Sequence, residues 1–223
     1  MTDFATNHTT HLDGRTRRGE VTRERLLAAA VELFGSQGFE ATSMKELAAA
    51  AGVRAPAIYN HFESKESMLA EVTIWVLEDF HRAVVVKDNP ADSPFDRLEH
   101  LVRRHVIYQL EHIQLARSND LIMDVDSLQH LLPEGATKQI RQMMRAHLDL
   151  LTEIIDQVIQ SRPSVTGFPT SRLCALAVLT MCDRVLSWYK PTGALSENEV
   201  ATAYWTLVCG MLHLPDPRAT PVS

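Results

Sequence analysis

The stretch T-S-M-K-E-L-A-A-A-A-G-V-R-A-P-A-I-Y-N-H-F, residues 42–62, constrains the fold of this chain more than any other. Ser43 can cap a helix, and Glu46 three residues later completes the pattern of a capping box. Gly52 stands where that helix would end, because glycine adopts positive φ at little cost. Pro56 suits the first turn of a second helix, which we expect to run to the end of the stretch. The pattern therefore predicts two short helices joined by a glycine turn, the helix-turn-helix outline.

A helix-turn-helix unit serves to place its second helix in the major groove of DNA. In that arrangement Arg54 would bind guanine and Asn60 would bind adenine. The residues expected to lie nearest the base edges are Arg54, Ala55, Pro56 and Asn60. Phe62 is expected to pack inside the unit. For Tyr59 two interpretations stay open, packing inside the unit or a contact of its hydroxyl with DNA.

The same stretch resembles the DNA-binding half of the TetR family of transcriptional regulators, whose pattern is roughly T-x-x-x-I-A-x-x-A-G-V-S-x-G-x-x-Y-x-H-F-x-x-K-x-x-L. The chain departs from this pattern at Arg54, usually Ser or Thr, and at Pro56, usually Gly. The positions that agree are Thr42, Ala48, Ala51, Gly52, Val53, Tyr59, His61, Phe62, Lys65 and Leu69, with Leu47 for the isoleucine. Upstream agreement at Leu26, Ala30, Leu33, Phe34, Gly38 and Phe39 extends the resemblance to residues 21–69.

The resemblance implies which residues contact DNA phosphates. By position these are Thr42, Tyr59, His61 and Lys65, and we add Ser43 because helix N-termini also offer backbone N–H groups to phosphates. It further implies a homodimer that binds a palindromic DNA operator, with a second helical domain that binds a small molecule and dimerises through its last two helices.

Charge alone would not indicate DNA binding, because the chain of 223 residues carries a formal net charge of −6. Residues 1–66 contain eight basic and nine acidic side chains, and the remainder contains 14 and 19. Residues 1–20 are polar, and we expect a disordered basic arm there. Arg15, Arg17 and Arg18 would be either a solvated lead-in or an arm that reaches phosphates or the minor groove.

Apolar periodicity predicts an all-α fold. The resemblance implies its division into an N-terminal three-helix DNA-binding domain at 21–66 and a helical ligand-binding and dimerisation domain at 67–214, with a tail at 215–223. Helix one is expected at 21–37. The later helices are expected at about 65–86, 95–113, 115–132, 136–160, 170–188 and 196–212, with loops at 87–94 and 161–169. The last two helices are apolar around more than half their circumference, which indicates deep burial or a subunit contact.

The second domain contains a weaker functional signal. His105, Tyr108 and His112 fall on one helical face, which is either a hydrogen-bonded interior face or the lining of a small-molecule pocket. The candidate pocket residues are His105, Tyr108, His112, Met123, Met144, His147 and Trp188. For Trp188 a role as plain core is the alternative.

Other classes of function find little support. Cys174, Cys182 and Cys209 have no metal-ligand spacing, so we interpret them as core thiols, with a redox sensor as the alternative. No G-x-S-x-G, phosphate loop or metal motif indicates an enzyme, and we expect no cofactor. No apolar run reaches the length of a membrane span and the N-terminus does not resemble a signal peptide, so we expect a cytoplasmic protein.

The fragment W-Y-K-P-T-G-A-L-S-E-N-E-V, residues 188–200, is similar to a sequence in actinobacterial regulators of sterol and fatty-acid breakdown, whose ligands are acyl-CoA thioesters. An acyl-CoA or another hydrophobic effector is therefore expected, with Arg103, Arg104 or Arg184 near the CoA phosphates. The hypothesis is a ligand-responsive repressor. An activator, or a regulator without a small ligand, is the alternative.

Overall fold

In the computed structural model, residues 14–112, 132–162 and 170–214 are described, and within them the chain is helical and contains no strand. The all-α prediction is confirmed. The helices are α1 Gly14–Gln37, α2 Met44–Ala50, α3 Ala55–Ile58, α4 Lys65–Phe80, α5 Pro94–Glu111, α6 Glu134–Gln160, α7 Ser171–Asp183 and α8 Glu197–Met211. Two compact units are present. The described part of the first comprises 14–76 and 132–138, and that of the second comprises 77–112, 139–162 and 170–214.

The first unit is built on α1, whose apolar stripe supplies most of the core. Leu26, Ala30 and Phe34 are fully buried there, together with Leu47 of α2 and Ile58 of α3. Phe34 and Phe39 pack with their ring centroids 5.4 Å apart. Gly38, with φ of +88°, ends α1. These are the contacts that the helical spacing of apolar residues predicts.

The start of α1 corrects one prediction. The helix begins at Gly14 rather than at Val21, so residues 14–20 are helical and do not belong to a disordered arm. Their sequence, G-R-T-R-R-G-E, has no apolar periodicity, and periodicity was the signal used to place the helix start. Arginine is a good helix former, and these turns extend a helix already stabilised by the buried Leu26–Phe34 stripe.

The start of α2 and its connection to α3 have the predicted capping and turn contacts. The Ser43 side chain accepts from the backbone N–H of Glu46, and the Glu46 carboxylate accepts from the backbone N–H of Ser43 at 2.8 Å. Gly52 has φ of +66°. Its N–H donates to Ala49 O and the N–H of Val53 donates to Ala48 O, the paired bonds of a Schellman motif.

The second helix of the unit is shorter than predicted. Its α-helical part ends at Ile58, and residues 59–61 continue as tight turns. The N–H groups of Asn60 and His61 donate to Ala57 O and Ile58 O, three residues back. This tighter bonding brings Phe62 into the core next to Ile58.

In the second unit α5 is central. Its residue Arg103 donates to Thr202 of α8, and Phe95 packs edge-on against Trp205 of α8 at 5.2 Å. Ser93 caps α5, with Pro94 at its first position. A π-helical turn, His81–Val85, follows α4, so the predicted helix to residue 86 is interrupted there.

The remaining helix ends differ modestly from the prediction. α7 ends at Asp183 and continues as a 3₁₀ turn, Arg184–Ser187, and α5 ends at Glu111 instead of Ile113. The helix predicted at 115–132 lies almost entirely outside the described residues. Within the described ranges, no helix is both long and apolar enough to cross a membrane.

Candidate DNA-binding surface and effector site

The segment from Arg54 to Asn60 has one buried side and one side open to solvent. Ile58 lies in the core, and Tyr59 is 58% exposed. The other exposed residues of the segment are Arg54, Ala55, Pro56 and Asn60. A short helix thus presents the residues expected at base edges, while its apolar side anchors it to α1 and α2. Of the two interpretations for Tyr59, packing inside the unit is not observed.

Phe62 is held in place by one cation as well as by packing. It is 2% exposed, as predicted for a core residue, and the guanidinium of Arg23 lies 5.0 Å from the centre of its ring. Arg23 also pairs with Glu71 of α4. Arg23 therefore joins α1, the end of the α3 segment and α4 inside the first unit.

Thr42 corrects the predicted set of phosphate contacts. Its side chain is 2% exposed, and its hydroxyl donates to Gly38 O at 2.7 Å and accepts from Gln37. Its backbone N–H donates to Phe39 O. These groups stabilise the end of α1, so neither the side chain nor the N–H of Thr42 is free to meet a phosphate.

The other side chains predicted to contact phosphates differ in how far they already bond within the unit. Lys65 Nζ donates to Phe39 O at 2.8 Å and lies 4.1 Å from the Phe39 ring centre, so it is partly used within the unit. Ser43 is exposed but its hydroxyl bonds to the Glu46 carboxylate. His61 is half-buried.

In the second unit, a cluster of rings surrounds Phe80 at the end of α4. The ring of Phe80 contacts His105 and Tyr108 of α5 edge-on, at 4.9 and 5.2 Å between centroids. It also contacts His147 of α6 at 5.0 Å, and His105 and His147 are 5.4 Å apart. Three of the predicted pocket residues, His105, Tyr108 and His147, are therefore brought together, and we call these four residues the Phe80 cluster.

Two polar members of the Phe80 cluster are already bonded. His105 Nε2 lies 2.9 Å from Asp183 Oδ1, which also accepts from Gln109 at 3.1 Å. The Tyr108 hydroxyl donates to Asp79 Oδ2 at 2.9 Å. Burial, reinforced by the Asp79 carboxylate, raises the pKa of Tyr108, so the phenol stays protonated.

His147 is the polar member with unused bonding capacity. Its Nε2 is enclosed and has no hydrogen-bond partner among the described residues. Burial, followed by the charges of His105 and His81, lowers the pKa of His147 to about 3. The ring is therefore neutral at physiological pH and can make one hydrogen bond to an uncharged oxygen or nitrogen.

The remaining predicted pocket residues lie in different places. His112 stacks on Tyr108 at 4.3 Å, and its Nδ1 lies 3.0 Å from Tyr108 O. Met144 is half-buried on α6, and Met123 lies outside the described residues. Trp188 is 50% exposed, stacks on Tyr204 and donates to its hydroxyl at 3.2 Å, so the alternative of a plain core residue is wrong.

Sequence reasoning missed several residues that complete the Phe80 cluster. Phe80 is one of several apolar residues of α4 and has no special spacing, and Asp79 and Asp183 match no functional motif. Gln109 follows His105 by four residues, a spacing that does put both on one face. No local signal connects Asp183 of α7 to α5, because that contact exists only after packing.

The described cysteine, histidine and acidic side chains bear on two other possible functions, redox sensing and metal binding. Cys174, Cys182 and Cys209 are buried cysteines, and burial raises the pKa of Cys182. Core thiols are therefore observed, and a protonated buried thiol reacts slowly with oxidants. In the described ranges no group of three or more His, Cys, Asp or Glu could hold a metal ion.

Comparison with known proteins agrees with the helix-turn-helix geometry. Residues 26–72 match the family model for bacterial regulatory proteins of the tetR family. Residues 91–212, more than half of the chain, match the model of the tetracyclin repressor-like C-terminal domain. The chain belongs to the TetR family. It is a transcriptional regulator of that family, and both halves of the described fold are those of its members.

Individual TetR relatives agree over most of the chain. The HTH-type transcriptional repressor KstR2 of Mycolicibacterium smegmatis is 24% identical over 210 residues, covering 84% of this chain and 89% of KstR2. The crystal structure of PfmR from Thermus thermophilus is similar with a TM-score of 0.70 and 27% identity, over 86% of this chain and 98% of PfmR. The structure of AibR with isovaleryl coenzyme A and operator DNA has a TM-score of 0.73 and 21% identity, covering 86% and 98%.

Proposed function

We propose that this TetR-family protein is a ligand-responsive repressor that binds a palindromic operator as a homodimer and is released from it by a small-molecule effector. The observation that carries the proposal of DNA binding is the exposure of the segment from Arg54 to Asn60, which contains α3. Its apolar side is buried, and Arg54, Tyr59 and Asn60 are exposed. An exposed arginine at the start of such a helix can bind guanine through two hydrogen bonds.

One side of the second unit is an exposed apolar surface suited to contact with a second copy of the chain. Large apolar side chains are exposed on α7 at Leu173 and Leu176, and on α8 at Leu207 and Met211. On each helix they follow helical spacing and form one stripe, which also contains the small residues Ala177 and Ala203. Exposed apolar stripes of this kind are typical of subunit contacts. We propose that both stripes form the dimer interface.

The Phe80 cluster supports an effector site in the second unit. Phe80 and Tyr108 offer apolar ring surface, and His147 offers one neutral hydrogen-bonding group. Such a combination suits a ligand with an apolar body and an uncharged polar atom, such as the carbonyl of an acyl thioester. AibR, a structural neighbour, is described in complex with isovaleryl coenzyme A, which supports an acyl-CoA here.

Arg104 is the basic residue of α5 best suited to the acidic part of a CoA ester. Its Nη1 donates to Lys87 O at 3.0 Å. Its Nε and Nη2 are enclosed and have no hydrogen-bond partner among the described residues. These two N–H groups form the side of a guanidinium that binds a phosphate or carboxylate through parallel hydrogen bonds. Arg103, by contrast, is bonded to Glu99 and Thr202.

The DNA-binding part is tested by selecting sequences from a random duplex library with the purified protein. The expected outcome is an inverted repeat bound by a dimer. Arg54→Ala should then weaken binding to the selected site about tenfold or more, since a bidentate base contact is worth about 1–3 kcal/mol. Binding to a scrambled site should change little. An equal loss on both duplexes would exclude base recognition by Arg54.

The effector part is tested by thermal unfolding with a series of acyl-CoA thioesters, with free CoA and the free acids as controls. A bound thioester should raise the melting temperature, and the stabilisation should grow with the logarithm of its concentration above Kd. It should also release the selected operator in a mobility-shift assay. His147→Leu should reduce both effects while leaving DNA binding intact. No stabilisation by any thioester would contradict an acyl-CoA effector.

The direction of regulation is tested separately. A reporter driven by the promoter beside the selected operator should rise when the gene is deleted, as expected for a repressor. A fall in reporter activity would indicate an activator. A reporter response that is insensitive to every thioester, with DNA binding intact, would indicate a regulator without this ligand.

A further inference from the structure

A cavity of about 380 Å³ lies between the end of α4 and the first half of α6, within the second unit. This volume falls in the range of small-molecule sites, about 300–1,000 Å³. Most of the side chains that line it are polar, so it differs in character from the ring-lined Phe80 cluster. The lining consists of Glu78, His81, Gln139, Gln142, Met143 and Ala146, and we call these six residues the α4–α6 cavity.

Polar groups of the α4–α6 cavity have unused bonding capacity. Within the described ranges, the side chains of Glu78, Gln139 and Gln142 make no hydrogen bond or ion pair. Further along the same helix, Gln160 donates to Asp156, the residue four positions earlier. The amides of Gln139 and Gln142 line the cavity instead, so their donors and acceptors are available to a molecule bound there.

The backbone at the edge of the α4–α6 cavity is unusual. At His81 the α-helical bonding of α4 changes to a π-helical turn, His81–Val85. Such turns are rare and occur frequently at functional sites. Glu78 and His81 are three residues apart on this side of the cavity, and Gln139 and Gln142 are three residues apart on the other. Two pairs of polar side chains therefore line the cavity from two helical elements.

The α4–α6 cavity adjoins the Phe80 cluster. His81 follows Phe80 directly, and Met143 lies one turn before His147 on the same face of α6. After burial and the charge of His105, the charge of His81 lowers the pKa of His147, as expected for neighbouring side chains. A molecule bound at the Phe80 cluster can therefore extend into the cavity.

The lining of the α4–α6 cavity favours an uncharged polar group. The Glu78 carboxylate repels phosphate and carboxylate groups, and the described lining contains no lysine or arginine to offset it. Gln139 and Gln142 match the amides and the hydroxyl of pantetheine, the arm that joins the sulfur of a CoA thioester to its phosphates. Met143 and Ala146 offer apolar contact to the methylene groups of that arm.

We propose that the α4–α6 cavity binds the amide-bearing arm of the effector thioester, while the acyl group lies against the Phe80 cluster and the phosphates lie outside the cavity. Gln139 and Gln142 are then specificity-determining residues, because they distinguish a thioester that carries the arm from one that lacks it. This inference rests on the proposed acyl-CoA effector.

The test combines truncation of the ligand with truncation of the protein. Isothermal titration calorimetry measures the Kd of an acyl-pantetheine and of the matching acyl-N-acetylcysteamine, which keeps the amide nearest the sulfur and lacks the rest of the arm. The acyl chain is the most stabilising one of a series from butyryl-CoA to palmitoyl-CoA. The wild type should bind the pantetheine ester about tenfold more tightly, as expected for about two neutral hydrogen bonds. In Q139A/Q142A this ratio should fall to about twofold or less.

Two controls locate the effect in the α4–α6 cavity. Gln160→Ala should keep the tenfold ratio, because Gln160 is exposed on the same helix and lies outside the cavity. His147→Leu should weaken the binding of both esters to the same extent, since both carry the acyl carbonyl. Thermal melting without ligand and binding to the selected operator confirm that each variant is folded.

The outcomes separate this inference from the proposed function. An equal ratio in the wild type and in Q139A/Q142A overturns the role of the two amides. A wild-type ratio near one overturns the binding of the arm, while the binding of both esters keeps the proposed effector class. A loss of the ratio in Gln160→Ala overturns the assignment to this cavity. If no CoA thioester of the series stabilises the protein, the proposed effector and this inference fail together.

Discussion

Gly52 joins the two helices of the DNA-binding unit at a point where both backbone and space are restricted. Its φ of +66° lies in the left-handed region, and an added Cβ would meet Arg25 Nη2 at 2.6 Å. We predict that Gly52→Ala lowers the free energy of unfolding by about 1–2 kcal/mol for the backbone alone, with more for the displaced arginine.

Urea unfolding in a double-mutant cycle measures the two contributions. In an Arg25→Ala background, Gly52→Ala should cost less, because the steric part is removed. Gly38→Ala is the matched control. Gly38 also has positive φ, at +88°, but an added Cβ would meet nothing within 4 Å. An identical cost of Gly52→Ala in both backgrounds would show that Arg25 does not press on the turn.

His147 should make stability depend on pH. Its pKa is lowered to about 3 in the folded protein, from an ordinary value of 6.5. A group whose pKa is lowered by folding stabilises above its unfolded pKa, so this contribution is lost as pH falls from 6.5 towards 3. Each pH unit in that window costs about 1.4 kcal/mol.

We therefore expect the wild type to lose about 2 kcal/mol more than His147→Gln between neutral pH and about pH 5. The measurement is urea unfolding at fixed protein concentration, since dimerisation also affects stability. Histidines that do not interact with His147 contribute equally to both proteins. Parallel losses in the two proteins would mean that His147 titrates normally.

At the scale of elements, the turn before α5 is held by one buried ion pair. Arg97 Nε and Nη2 donate to the two carboxylate oxygens of Asp88 at 3.1 and 2.7 Å, and its Nη1 donates to Gln157 of α6 at 3.0 Å. The side chains are only 6% and 8% exposed. The pair thus connects the turn, α5 and α6 inside the second unit.

Removal of one partner should leave a buried charge. We predict that Arg97→Leu lowers the free energy of unfolding by about 3 kcal/mol or more, and that R97L/D88L recovers part of this loss. Arg172→Leu, which breaks an exposed pair with Asp149, should cost less than about 1 kcal/mol. Equal costs for Arg97→Leu and Arg172→Leu in urea unfolding would contradict the role given to burial.

Local signals were sufficient where an element is stabilised by neighbours in sequence. The capping box of α2 is predicted from Ser43 with Glu46, and it forms. The same spacing, Ser196 with Glu199, forms a capping box at the start of α8. The ends of α1 and α3 were not predicted well. The start of α1 was missed because residues 14–20 lack apolar periodicity. The C-terminal end of α3 was missed because it is decided by the packing of Phe62 into the core.

At the scale of the whole molecule, the apolar stripes of α7 and α8 predict a dimer. Leu207 is 58% exposed in the middle of the α8 stripe. Leu207→Asp should convert the protein to monomers in light scattering, because a carboxylate would be buried in the interface. It should also abolish tight binding to a two-half-site operator. Leu195→Asp, at a leucine 48% exposed in the loop before α8, should do neither. A Leu207→Asp protein that stays dimeric would exclude this face as the interface.

The sequence by itself determined the family, the all-helical architecture and the residues exposed on α3. All of these depend on spacing within short stretches, where capping, glycine turns and apolar periodicity act between near neighbours. The tertiary structure decided which polar groups are already bonded. Thr42 and Lys65 are used to hold the end of α1, and Asp183 is used by His105 and Gln109. These contacts join residues whose proximity is set by helix packing. Among the described residues, packing also leaves His147 Nε2 without a hydrogen-bond partner.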